Sequence, residues 1–257
     1  MPAHPSRRDA LITGAAALSA TAVTTDAAAT DAADAGPDAT GELSFPDTAL
    51  ARKARGFLDE AAQPYLRNHS LRAFLFARAA AAQAGRRPGR DYDEEVLFLV
   101  CALHDMGLTR RAADDRQRFE VAGADLAARF LEDNGVTDTR VDTVWDGIAL
   151  HTSPGFAASP VHRRRRPPEI GIAQRGILLD IEGGPDDLPP GYASRVHAVH
   201  PRLGGIRALS EDLETRSLAD PVTAPPMTLP GEILHQLHPE LPYTTWQTAL
   251  DTNRWGD

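Results

Sequence analysis

Four polar residues stand where helical text calls for apolar ones: His69, the adjacent pair His104-Asp105, and Asp180. His69 shares a helical face with Ala73, Phe76, Ala77 and Ala80. His104 comes four residues after Val100 on an almost wholly apolar helix, and Asp180 three after Ile177. A carboxylate goes inside a protein only when paired or bound to a cation, because burying a bare charge costs several kcal/mol. Brought together from three helices, these side chains offer two nitrogen and two oxygen ligands. Such a mixed set suits Zn²⁺, Fe²⁺ or Mn²⁺ and leaves room for water on a five- or six-coordinate ion. Each residue also has an ordinary reading. The histidines can be satisfied core side chains, Asp105 a cap for the turn after His104, and Asp180 the ion-pair partner of Arg175 or Arg72.

The elements that must position them read as helices. From Phe57 onward the apolar spacing is helical, and the segment after Asn68 ends at Gly85 and the Arg86–Arg90 stretch. In Tyr92–Asp105, Val96, Leu99, Val100 and Leu103 form a stripe that Leu97, Phe98 and Ala102 widen almost all round, which predicts a central buried helix stopped at Gly107. A third helix is expected over about 118–134 with Gly135 after it, and a fourth N-capped by Asp138 and carrying Val141, Val144, Trp145 and Ile148 inward. Residues 169–182 give a fifth. No alternating strand of useful length is present, so the expected class is all-α, with a helical metal-binding domain over 47–183. Beyond Gly183 prolines break the chain, and 184–257 reads as an extension folded back over that domain, with helices near 204–217 and 243–254. Arg163–Arg166 reads most simply as a solvated loop, with an anion-facing lid as the alternative. Cys101 reads as packing, and His197, His200, His235 and His238 as surface residues.

Composition bounds the partners. With 257 residues, 42% hydrophobic and 25% charged, a folded core is expected, in one domain or two small ones. A net charge of −9 argues against a nucleic-acid binder, and no apolar run is long enough for an ordinary membrane span. The single cysteine excludes a disulfide framework and a Cys-rich zinc module. Lys53 is the only lysine, so phosphate chemistry has no other lysine to use. Ser6-Arg7-Arg8-Asp9-Ala10-Leu11 places a twin arginine ahead of the apolar run to Val23, with small residues following. Residues 1–30 thus resemble a twin-arginine translocation signal, implying the export machinery as a partner and a location outside the cytoplasm. Read instead as an Ala-rich extension, they leave the protein cytoplasmic. Residues 31–46 read as a disordered linker. A homo-oligomer is the default expectation.

The order H…HD…D, formed by His69, His104-Asp105 and Asp180, resembles the HD-domain superfamily of metal-dependent hydrolases over residues 55–183. Around it stand Asn68-His69-Ser70-Leu71-Arg72, Leu103-His104-Asp105-Met106-Gly107-Leu108-Thr109, Arg118-Phe119-Glu120-Val121-Ala122-Gly123-Ala124, Ile148-Ala149-Leu150-His151-Thr152 and the stretch from Gly176 to Gly183. This text is similar to the cyanamide hydratase-like branch. The resemblance implies an all-α fold, the four residues as ligands of one divalent metal, most simply Zn²⁺, and addition of water to the nitrile carbon of a small molecule, cyanamide giving urea. His151, three residues beyond Ile148, is then the candidate that moves a proton, with a carbonyl-bonded core histidine as its ordinary reading. Thr152 beside it would hold water or substrate. Glu120 is either part of the site or a first-turn acid favoured by the helix dipole. Two rivals remain: a phosphohydrolase of nucleotides or phosphate esters, disfavoured because Met106-Gly107-Leu108-Thr109 supplies neither lysine nor histidine, and a metal-binding protein without catalysis.

Overall fold

The computed structural model describes residues 41–255; the expected export signal and most of the expected linker lie outside them. Eleven α-helices and no β-strand occur among the described residues, so the class is all-α as read from the sequence. No helix there is long and apolar enough to cross a membrane. The order is α1 (Ala49–Ala61), α2 (Pro64–Gln83), α3 (Glu94–Leu103), α4 (Phe119–Asp133), α5 (Arg140–Ala149), α6 (Pro160–Arg165), α7 (Pro168–Glu182), α8 (Tyr192–Val199), α9 (Ile206–Ala219), α10 (Leu229–Leu237) and α11 (Trp246–Asp251).

Helix α3 is the hub. Asp93 caps it, accepting from the Glu95 and Val96 amides at 2.9 and 3.1 Å. Every residue from Val96 to Leu103 is buried, and α1, α2, α5 and α7 pack around it. Burying each such Val, Leu or Phe side chain contributes about 1.5–3 kcal/mol, and this continuous apolar run holds the bundle together. The helix ends one turn early, at His104, so that His104 and Asp105 emerge from the C-terminus of the most buried element. The turn after them lies flush against α4. A Cβ on Gly107 would stand 1.9 Å from the Phe119 carbonyl oxygen, so only glycine lets α4 approach.

Helices α2 and α7 form the tightest seam. A Cβ on Gly176 would lie 2.3 Å from the Ala73 carbonyl oxygen and 2.4 Å from the Ala77 Cβ. Their direct backbone approach sets Asp180 opposite His69 and Arg72.

Several elements differ from the sequence reading. Arg163–Arg166 is not simply a loop: Pro160–Arg165 is a helix capped by Ser159, whose hydroxyl accepts from the His162 amide. Thr139 occupies the position before α5 without a capping bond from its side chain. Asp138, one residue further out than expected, accepts from the Arg140 amide at 3.0 Å and also pairs with the Arg140 guanidinium. Leu43 and Phe45, inside the expected linker, pack on the core, Phe45 lying 5.7 Å from the Phe74 ring. His200 is buried, not a surface residue, and α8 and α10 have no counterpart in the periodicity. The segment after Gly183 holds the helical core at several points. Tyr65 donates to Asp212, Arg116 pairs with Asp220, and Arg216 donates to the Asp115 carbonyl at 2.9 Å.

Candidate metal centre

His69 from α2, His104 and Asp105 from the end of α3, and His151 just beyond α5 meet inside the bundle, with Glu120 of α4 beside them. None of these, nor Asp180, is more than 4% exposed. Each imidazole is anchored through Nδ1. That of His104 donates to the Cys101 carbonyl at 2.8 Å, and that of His151 to the Ile148 carbonyl at 2.6 Å. A carbonyl only accepts, so both rings carry their proton on Nδ1. His69 is held likewise, its Nδ1 2.7 Å from Asp180 Oδ2. Two arginines claim the same carboxylate. Arg72 Nε and Nη2 each reach it at 2.7 Å, and Arg202 Nη1 at 3.2 Å. Burial raises the Asp180 carboxyl, but the bonds from Arg72 and His69 outweigh it and hold it well below the usual carboxylate range.

With Nδ1 committed, all three rings turn Nε2 inward. Nε2 of His69 and His104 are 3.1 Å apart. Asp105 Oδ2 lies 3.2 Å from the second and 3.5 Å from the first, and His151 Nε2 is 3.6 Å from Asp105 Oδ1. Two lone pairs and a carboxylate at such separations repel unless a positive charge lies among them. Asp105 Oδ2 is also a fully buried oxygen that accepts no hydrogen bond, a costly state for a carboxylate in a protein interior. Burial raises the Asp105 carboxyl, yet His104, His69 and His151 outweigh that and hold it well below the usual range. The cluster therefore fits a divalent ion: two imidazole nitrogens and a carboxylate oxygen, pre-oriented and otherwise unsatisfied. His69, His104 and Asp105 are the residues whose ligand atoms draw together; Asp180 meets His69 from its other face.

The remaining sequence candidates form a second, connected group. Thr152 donates its hydroxyl to Glu120 Oε1 at 2.6 Å, and Arg118 anchors that carboxylate at 3.1 Å. The His151 ring packs edge-on to His104, centroids 4.9 Å apart, and to Phe119. Burial and the neighbouring His104 push the His151 imidazole down to about 4, so it is uncharged at neutral pH.

A family model for the HD domain matches residues 66–181. Cyanamide hydratase DDI2 of Saccharomyces cerevisiae is 29% identical over 183 residues, covering 68% of this chain and 76% of the yeast protein. The stretch that matches the family model carries His69, His104, Asp105, His151 and Asp180, so the likeness to the HD domain covers the whole cluster. Cyanamide hydratase DDI3 of the same yeast matches at the same identity and coverage. HD domains bind divalent metals, and the His-His-Asp cluster within the matched residues suits that chemistry.

Two residues that the sequence reading does not assign to the site steady this centre. Arg72 enters that reading only as an ordinary ion-pair partner of Asp180; its place about one helical turn after His69 is legible in the sequence, and the structure buries it fully. Arg202 lies beyond the helical core, and nothing in the surrounding sequence marks it.

Proposed function

We propose that this chain is a metal-dependent hydratase of a small nitrile, with cyanamide as substrate and urea as product. The observation that carries the reading is the closed cluster: three imidazole Nε2 atoms turned toward one buried, unsatisfied carboxylate. A site so sealed suits a substrate of very few atoms, and the likeness to two yeast cyanamide hydratases supports cyanamide as that substrate. His69, His104 and Asp105 would hold the ion, Zn²⁺ being the first choice for this donor set and Fe²⁺ or Mn²⁺ the alternatives. Asp180 belongs to the same set as the group that fixes the His69 ring. When bound, the ion lowers the pKa of water toward neutrality and polarises a nitrile nitrogen.

The chain's own residues supply the rest. His151 Nε2, uncharged and aimed at the Asp105 side, takes a proton from water as the water oxygen bonds to the nitrile carbon. It returns that proton to the nitrile nitrogen, which gains the electron pair of the broken π bond. The isourea formed shifts one proton and becomes urea. Thr152 commits its own proton to Glu120, so its oxygen is left to accept from the substrate amino group; Glu120 is the positioning residue for that hydroxyl. Residues 1–30, as an export signal, would place this activity outside the cytoplasm.

The test is urea formation from cyanamide by the purified chain, stripped with chelator and reloaded with Zn²⁺, Fe²⁺ or Mn²⁺, beside His104→Ala. Metal-dependent urea production that falls at least a hundredfold in the variant is expected. A chain that binds metal yet makes no urea overturns the assignment, and activity on phosphate esters in the same preparation would replace it.

A further inference from the structure

The α2–α7 seam ends, away from the metal centre, in a cavity of about 200 Å³ that the proposed chemistry does not use. Its floor is apolar, built from Ala77, Ala80 and Ala81 of α2 and Ile172 of α7. Its rim is cationic. Arg86 follows α2, Arg163 and Arg166 come from α6 and its end, and Arg175 comes from α7. In a chain of net charge −9, four guanidinium groups around one small cavity are a marked segregation of charge. Nothing in the protein neutralises them fully. Among the described residues Arg86 has no side-chain hydrogen bond or ion pair. Arg163 uses Nε on the Ala157 carbonyl at 3.1 Å, leaving its other donors free. Arg166 and Arg175 stand 3.6 and 3.5 Å from Asp146 and Asp187, in solvent-exposed pairs of little strength. His162 completes the wall. Its Nε2 is buried without a partner, while its ring packs on Phe156 at 4.9 Å.

We infer that this cavity binds a small organic anion, one carboxylate or phosphate group carried on a short apolar body. Guanidinium forks match the planar carboxylate and the phosphate face in two-point hydrogen bonds, which a lysine would not do. The alanine floor contributes nothing to a bare inorganic ion but gains by covering an aryl or short alkyl group. The unpartnered His162 Nε2 adds a polar group at the wall. The site is separate from the metal centre: His69 and Ala80 are eleven residues apart on α2, about 16 Å along a helix. The intervening approach at Gly176 leaves no room for a channel along the seam.

The test is calorimetric titration of the purified chain at low ionic strength with benzoate and phenyl phosphate. Acetate serves as an anion without a body and benzamide as a body without charge. Three variants are titrated alongside, each checked by circular dichroism for an unchanged helical spectrum. Arg163→Gln with Arg175→Gln removes two cations from two elements; Ala80→Leu fills the floor and keeps every arginine; His104→Ala disrupts the metal centre. Benzoate or phenyl phosphate should bind at least tenfold tighter than acetate and benzamide. That binding should weaken at least tenfold in the first two variants and stay within twofold in the third, with the preferred probe naming the head group. Binding lost in His104→Ala but kept in Ala80→Leu would put the anion at the metal centre and overturn the inference. So would equal binding of acetate, which is surface electrostatics alone, or no binding of either probe at millimolar concentration.

Discussion

The two ends of the α2–α7 seam treat charge in opposite ways. At one end Asp180, Arg72 and His69 are almost wholly buried, and each charge meets a partner at 2.7 Å. At the other, arginines stand in solvent with long, loose pairings. Between them lies Gly176, where the helices touch backbone to backbone. The difference teaches what each end can bind. A buried, pre-oriented donor set waits for one compact cation. A wet cationic rim over an apolar floor accepts an anion whose exact shape matters less.

The largest effect should come from the crossing itself. Gly176→Ala puts a methyl 2.3 Å from a backbone oxygen that cannot move without unseating α2. A loss of about 3 kcal/mol or more is expected in urea-induced unfolding. Gly171→Ala, on the same helix near the arginine cavity, meets only the Ala157 Cβ at 3.3 Å and should cost less than about 1 kcal/mol. Comparable losses at both positions would show that the seam is not the tighter contact.

Next come the ion pairs. Asp180→Asn leaves the Arg72 guanidinium buried without its carboxylate, at an expected cost of about 3–5 kcal/mol. It also frees the His69 ring, so metal affinity read by competition with a chelator should fall about 10- to 100-fold. Asp187→Asn breaks the exposed Arg175 pair and should change stability by no more than about 0.5 kcal/mol. An unchanged metal affinity in Asp180→Asn would remove Asp180 from the centre.

The smallest effect is a pH dependence. His200, whose carbonyl accepts from Arg72, is pushed down to about 4 by burial and by Arg55, Arg72 and Arg67. Its unfolded form holds a proton more readily, so its contribution is intact above the ordinary histidine pKa and is lost as pH falls toward 4. His200→Leu should therefore flatten the fall in stability between pH 6.5 and 4, by at most about 1.4 kcal/mol per pH unit. Parallel curves for the two proteins would exclude it.

Much of the buried end is legible in the sequence, because a histidine or aspartate at an apolar register position is an anomaly that periodicity exposes. His69, His104, Asp105 and Asp180 all stand out in that way. Asp180 is open to two readings there, as a metal ligand and as the partner of Arg72. In the structure its carboxylate is bonded to Arg72 and to His69 Nδ1 at once. The segment after Gly183 is less legible. Its helices α8 and α10 span eight and nine residues, too short for a periodic pattern to declare itself. Thr228 before α10 and Ser159 before α6 are caps that local reading could have used. Arg202 has no such signal, since its role arises from a contact 22 residues away in sequence. The exposed large hydrophobics tell the same story: Val161 aside, they lie at Val199 and beyond, where few apolar side chains are buried, Leu213 and Leu234 among them.

The three Nδ1 anchors have a practical consequence. Each ring proton is held by a single acceptor, Asp180, Cys101 or Ile148, on an imidazole almost closed to water. Protons so protected exchange slowly and resonate far downfield, apart from the amide envelope. Zn²⁺ has no colour and no unpaired electron, so its arrival is silent to most spectroscopy. Three shifted proton lines would announce it from the opposite side of the rings.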